Sequence, residues 1–160
     1  MIQFSNEGEL RDWLLDEVQN RISGERLNFQ VLQSRNISDV VICKESEASP
    51  ALVFIEIKLY KGSSNRIGIG QGAKGKKGEG FQPEILMKRP IYFEKYLRWV
   101  ICNESGKCVF ANNKVLIKHA AKGEISKGKQ NNISTNIFSR EETSDVSEIP
   151  DEIVSYLKTI

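Results

Sequence analysis

The apolar positions of this chain are densest between residues 38 and 59, in two pieces. Val40-Val41-Ile42-Cys43 is the first, and Ala51-Leu52-Val53-Phe54-Ile55-Glu56-Ile57-Lys58-Leu59 is the second. Runs of this length, rich in β-branched residues and bounded by polar connections, read as strands. The pattern predicts strands over 27–33, 38–44 and 51–59, with Arg35-Asn36 as a turn and 45–50 as a polar connection. The third is apolar at nearly every position, which places it at the centre of a sheet covered on both faces. Ahead of the strands, Leu10, Trp13, Leu14, Val18 and Ile22 recur at helical spacing up to Gly24. Asn6 followed by Glu9 forms a capping box at the start, so an amphipathic helix leads into the sheet.

Beyond Leu59 the periodicity lapses. Residues 61–80 hold seven glycines and little that is apolar besides Ile67 and Ile69, a composition that cannot build a core and predicts a mobile loop. Short helices are predicted from Phe81 to Leu86 and from Ile91 to Leu97, separated by Pro90. Strands follow over 98–103 and 107–111, joined by Glu104-Ser105-Gly106, with a sixth strand over 115–119. Residues 118–140 read as a polar loop, and Ile153, Val154, Tyr156 and Leu157 as a closing helix. One α/β domain spanning residues 1–160 is expected, with a mixed central sheet of about five strands, the first helix on one face and the 81–97 helices on the other.

Within the most buried strand stand two charged residues. Glu56 and Lys58 are two apart, so their side chains project from one face. Buried charges are costly unless paired or metal-bound, so something must compensate them. Asp39, at the start of the neighbouring strand, supplies a second carboxylate. Together Asp39 and Glu56 offer the oxygen ligands that a hard cation such as Mg²⁺ prefers, and Lys58 stands beside them to orient an attacking water. A plain salt bridge between Glu56 and Lys58 is the structural alternative.

Asp39, an interval of sixteen residues and then Glu56-Ile57-Lys58 resembles the motif of the PD-(D/E)xK nuclease superfamily, which includes many type II restriction endonucleases. Ser38 stands where the motif has proline. The resemblance covers about residues 9–60 and implies a restriction-endonuclease-like fold with Mg²⁺-dependent hydrolysis of DNA phosphodiester bonds. Asp39, Glu56 and Lys58 would be catalytic, with Asp39 and Glu56 as metal ligands. In that superfamily a glutamate from the first helix often approaches the metal. Glu17, about 20° from Leu10 around the helix, is the candidate, with Glu9 second. The alternative for Glu17 is an ion pair with Arg21 one turn on. The type II branch further implies a homodimer acting on double-stranded DNA, with a cognate methyltransferase as a possible companion. A structure-selective nuclease, such as a junction resolvase or repair enzyme, and a non-catalytic DNA-binding module of the same fold are the rival readings.

Charge adds to this picture. The formal net charge is only +2, yet residues 58–129 carry 16 Lys and Arg against 5 Asp and Glu. A basic middle of this kind suits a phosphate backbone. Lys61, Arg66, Lys74, Lys76, Lys77, Gln82, Lys118 and His119 are the candidate DNA contacts. Gly70 to Gly75 matches GxGxxG and Gly70 to Lys77 nearly matches a P-loop, but no strand leads directly into a helix there, and Lys77 replaces the hydroxyl residue that would hold magnesium. Cys43, Cys102 and Cys108 form no CxxC pair, and their odd number predicts reduced, buried thiols in a cytoplasmic protein. With one histidine, structural zinc has too few ligands. No apolar run approaches the length of a membrane span.

Overall fold

A computed structural model describes residues 2–32, 38–70 and 80–160. In chain order these form α1 (Glu7–Gly24), β1 (Phe29–Leu32), β2 (Val40–Lys44), β3 (Ala51–Tyr60), β4 (Arg66–Ile69), α2 (Phe81–Lys88) and α3 (Ile91–Tyr96). There follow β5 (Leu97–Asn103), β6 (Lys107–Ala111), α4 (Asn113–Lys118), β7 (Asn131–Ser134), α5 (Ile137–Arg140), β8 (Ser144–Asp145), a 3₁₀ turn over Val146–Glu148 and α6 (Ile149–Leu157). Six strands make one mixed sheet in the order β1-β2-β3-β5-β6-β8, and β4 and β7 make a separate antiparallel ribbon.

The nearly unbroken apolar character of β3 follows from its position. It pairs antiparallel with β2 and parallel with β5, and both its faces are covered. Val53, Ile55 and Ile57 join Leu10, Leu14, Val18 and Ile22 of α1 and Ile153 and Leu157 of α6 in one apolar layer. Phe54 faces the other way, with Trp99 and Ile101 of β5, Leu86 of α2, Leu116 of α4 and Ile137 of α5. The expected division of helices between the two faces is therefore observed, with the addition that α6 shares the face of α1.

Three local expectations are corrected. Residues 115–119, read as a strand from their apolar and β-branched content, form the end of α4 and its C-cap, His119. The Asn112 side chain accepts from the Val115 amide there and starts a helical turn. Residues 66–69, assigned to a loop, form β4 because Ile67 and Ile69 find Ile133 of β7 and all three are buried. Cys102 and Cys108 are not free thiols. They lie directly opposite across the β5–β6 hairpin, with Cα atoms 4.1 Å apart, and are joined in a disulfide, which leaves Cys43 as the free cysteine. An odd number of cysteines spoke only against a fully paired set, and the burial of the two sulfurs is that of a cross-strand pair. Among the described residues no helix is long and apolar enough to cross a membrane.

Candidate active site

Strand β3 outruns β2, and the candidate site lies where it does. The register sets Val40 against Ile55, so beyond Glu56 the amides of β3 on that side have no strand partner. A backbone amide left without an acceptor is costly, and here two carboxylates supply one. Asp39 Oδ2 accepts from the Ile57 amide at 2.8 Å, and Glu7 Oε2, from the first turn of α1, accepts from the Leu59 amide at 3.3 Å. Ser38, which stands in the motif's proline position, is buried and donates its hydroxyl to the Ile55 carbonyl at 3.1 Å. This second tie holds the start of β2 against β3 and fixes where Asp39 points.

Glu56 and Lys58 project from β3 on the side of Phe54 and Trp99. Glu56 is only 2% exposed. Its Oε2 accepts from the Gln82 side-chain amide of α2, while its Oε1 is buried with no hydrogen-bond partner among the described residues. Burial first, and the negative charge of Asp39 second, push the Glu56 carboxyl up to about 8. Hydrogen bonding and the Lys58 charge oppose that rise. Lys58 is half-buried and makes no salt bridge among the described residues, which sets aside the simple Glu56–Lys58 ion pair. The Glu7 carboxyl is also raised, by burial first, with Lys58 pulling it down and Asp39 pushing it up. The charges of Asp39 and Lys58 therefore act on both Glu56 and Glu7 at the end of β3.

An ionised carboxylate is acceptor-only, so the lone Oε1 of Glu56 needs either a proton or a cation. The donor set fits a hard divalent ion: two carboxylates from adjacent strands, one with an oxygen already lacking a donor. Among the described residues no cluster of three or more His, Cys, Asp or Glu side chains forms a ready-made cage. Water and substrate oxygens would complete the shell, as Mg²⁺ commonly requires.

The remaining sequence candidates fall elsewhere. Glu17 does not reach the site: it pairs with Arg21 at 2.6 Å, and Arg21 in turn pairs with Asp151 of α6 at 2.6 Å. Glu9 stays at the helix start, where its amide donates to the Asn6 side chain at 2.9 Å and its carboxylate accepts from the Ser5 amide at 2.7 Å. The helix residue beside Asp39 and Lys58 is Glu7. On the helical wheel, at 100° per residue, Glu7 falls about 60° from Leu10, between Leu14 and Val18, and Glu17 about 20° from Leu10, so both lie within the apolar stripe and the wheel does not choose between them. Gln82, expected to contact DNA, instead touches Glu56. Lys61 donates to the Ser5 carbonyl at 2.7 Å and ties the end of β3 to the start of α1. Lys118 and the buried His119 both engage Glu141, at 2.7 and 2.6 Å, and so are held within the fold. Arg66 is exposed on β4, and Lys74, Lys76 and Lys77 lie outside the described residues.

The arrangement makes two separable expectations. Glu17→Ala removes a partly exposed ion pair and should cost under about 1 kcal/mol while leaving any metal-dependent activity intact. Gly70 has φ +59°, and a Cβ there would lie 2.4 Å from Pro83 Cδ, next to Gln82. Gly70→Ala should therefore lower stability by about 2–3 kcal/mol in urea denaturation, from left-handed strain and overpacking together. No family model matches the chain, and no curated protein matches it in sequence.

Proposed function

We propose that this chain is a metal-dependent deoxyribonuclease of the PD-(D/E)xK type, with a restriction-endonuclease-like fold, that hydrolyses phosphodiester bonds of double-stranded DNA. The observation that carries this reading is the buried Oε1 of Glu56, which has no hydrogen-bond donor among the described residues and lies within range of the Asp39 and Lys58 charges. A structural salt bridge would have paired that oxygen, and an apolar core would not have admitted the carboxylate. In this reading Asp39 and Glu56 bind a divalent cation such as Mg²⁺, which when bound polarises the phosphoryl oxygen and makes its coordinated water more acidic.

The chain's own residues do the rest. Gln82 holds Glu56 Oε2, and the Ile57 amide holds Asp39 Oδ2, so each carboxylate keeps its other oxygen for the cation. Lys58, on the same face as Glu56, orients the attacking water and offsets charge growing on the phosphate. Glu7, whose carboxyl is raised by burial first, lies within range of the Lys58 and Asp39 charges and ties the end of β3 by accepting from the Leu59 amide. A sequence-specific, homodimeric type II restriction endonuclease is the branch favoured by the basic middle of the chain and by the exposed polar ribbon described below. The reading is tested by digesting unmethylated phage DNA with the purified protein in Mg²⁺ and in EDTA. Discrete, metal-dependent fragments support it, and intact DNA in both conditions refutes it.

A further inference from the structure

We propose that the outward face of the β4–β7 ribbon enters the major groove of a DNA duplex and reads base edges there. This rests on the reading of DNA as substrate and adds which surface selects the sequence. Side chains of the ribbon separate cleanly by face. Ile67, Ile69, Ile133 and Asn131 point inward and are buried, and Asn131 fastens the preceding loop by hydrogen bonds to Ser126 and Lys129. Outward, the register pairs Arg66 with Ser134 and Gly68 with Asn132.

Those outward residues have the chemistry of base readout. An arginine can donate two hydrogen bonds to guanine O6 and N7, and an asparagine side chain can pair with adenine N6 and N7. Arg66 is exposed and makes no salt bridge, and the Asn132 side chain makes no hydrogen bond, among the described residues. Both are available to a ligand.

Gly68 is the more telling position. Its backbone is not left-handed, and among the described residues a Cβ there would meet Gln130 Nε2 alone, at 3.6 Å. Glycine weakens a strand, and a glycine inside one often marks a place where another molecule approaches the backbone closely. The approaching body is a nucleic acid by charge: the connection leading into β7 exposes Lys122, Lys127 and Lys129 against Glu124 alone, placing cations where flanking phosphates would run. A two-stranded ribbon is also one of the two elements that a major groove admits.

The ribbon is coupled to the proposed reaction centre. Just past β4, the Gly70 amide donates to Gln82 Oε1 at 3.0 Å, and the other end of the same side chain donates to Glu56. A duplex seated on the ribbon would thus lie one side chain away from the carboxylate that holds the cation.

The test measures binding of the full-length protein, in EDTA so that no cleavage intervenes, to a random-sequence duplex pool by fluorescence anisotropy. Arg66→Ala and Gly68→Val should each weaken binding about tenfold or more, while Gly68→Val leaves the thermal midpoint unchanged or raised. Replacing guanine by 7-deazaguanine, which removes the N7 acceptor, should weaken the wild type and add little to the loss in Arg66→Ala. Wild-type affinity in both variants overturns the proposal, as does tighter binding to single-stranded DNA or RNA than to duplex. Duplex binding with the expected losses but no cleavage in any divalent metal keeps the ribbon and rejects the nuclease. Metal-dependent cleavage with unaltered binding in both variants rejects the ribbon and keeps the nuclease.

Discussion

Lys58→Ala should slow DNA cleavage about a thousandfold, equivalent to about 4 kcal/mol of lost transition-state stabilisation, while leaving duplex affinity within about twofold. The size of the effect follows from placement. Lys58 shares a face of β3 with Glu56 and makes no salt bridge among the described residues, so the fold does not lean on its charge. Its thermal midpoint should consequently stay near that of the wild type. Lys58→Arg should rescue little, because a planar guanidinium that spreads its charge over a wide fork cannot occupy the compact ammonium's position. Single-turnover kinetics on a defined duplex distinguishes this from a binding defect. An unchanged cleavage rate in Lys58→Ala would remove that residue from the mechanism.

Glu56→Gln should flatten the dependence of stability on pH. The folded state holds the Glu56 carboxyl near 8, against 4.5 for the free group. A raised folded value means that the folded state keeps the proton more tightly than the unfolded one. That contribution is fully present below about pH 4.5 and is lost as pH rises to about 8. The loss is on the order of 5 kcal/mol. Urea denaturation of the wild type across this window in EDTA should fall by about that amount relative to Glu56→Gln, whose amide does not titrate. Millimolar Mg²⁺ should restore wild-type stability at pH 8, because a cation bound to the ionised carboxylate stabilises only the folded state. The same addition should not move Glu56→Gln. Since the cation displaces a proton, its apparent affinity should rise about tenfold per pH unit below 8. A wild-type curve parallel to that of Glu56→Gln would mean that Glu56 is ionised and compensated by something other than a metal.

What the sequence disclosed here tracks how local each signal is. The run from Ala51 to Leu59 announced a central strand because burial on both faces demands apolar residues at every position, so its two charged exceptions stood out. The first helix was legible through the period of Leu10, Leu14, Val18 and Ile22 and through the Asn6 cap. Which glutamate on that helix meets Asp39 was not, because the answer depends on α6 packing on the same face and offering Asp151 to Arg21, which leaves Glu17 in a surface pair. The β4–β7 ribbon was hidden for a similar reason. Ile67 and Ile69 look isolated among glycines, and only Ile133, more than sixty residues away, completes their apolar layer. The apolar run Val115-Leu116-Ile117 between Lys114 and Lys118 favours a strand on composition, whereas the Asn112 cap and the burial of Leu116 favour a turn of helix. Gln82 was assigned to the surface by its polarity, and nothing local indicated that Glu56 would be facing it.

The most direct measurement is cleavage of a plain, unmethylated duplex by the wild-type protein as Mg²⁺ is titrated at pH 8, with Asp39→Asn and Glu56→Gln in parallel. Cutting that rises with Mg²⁺, vanishes in EDTA and falls at least a hundredfold in both variants, on the order expected for a lost metal ligand, is the result the convergence of these carboxylates requires. Cutting that persists in EDTA, or that survives in either variant, would contradict it.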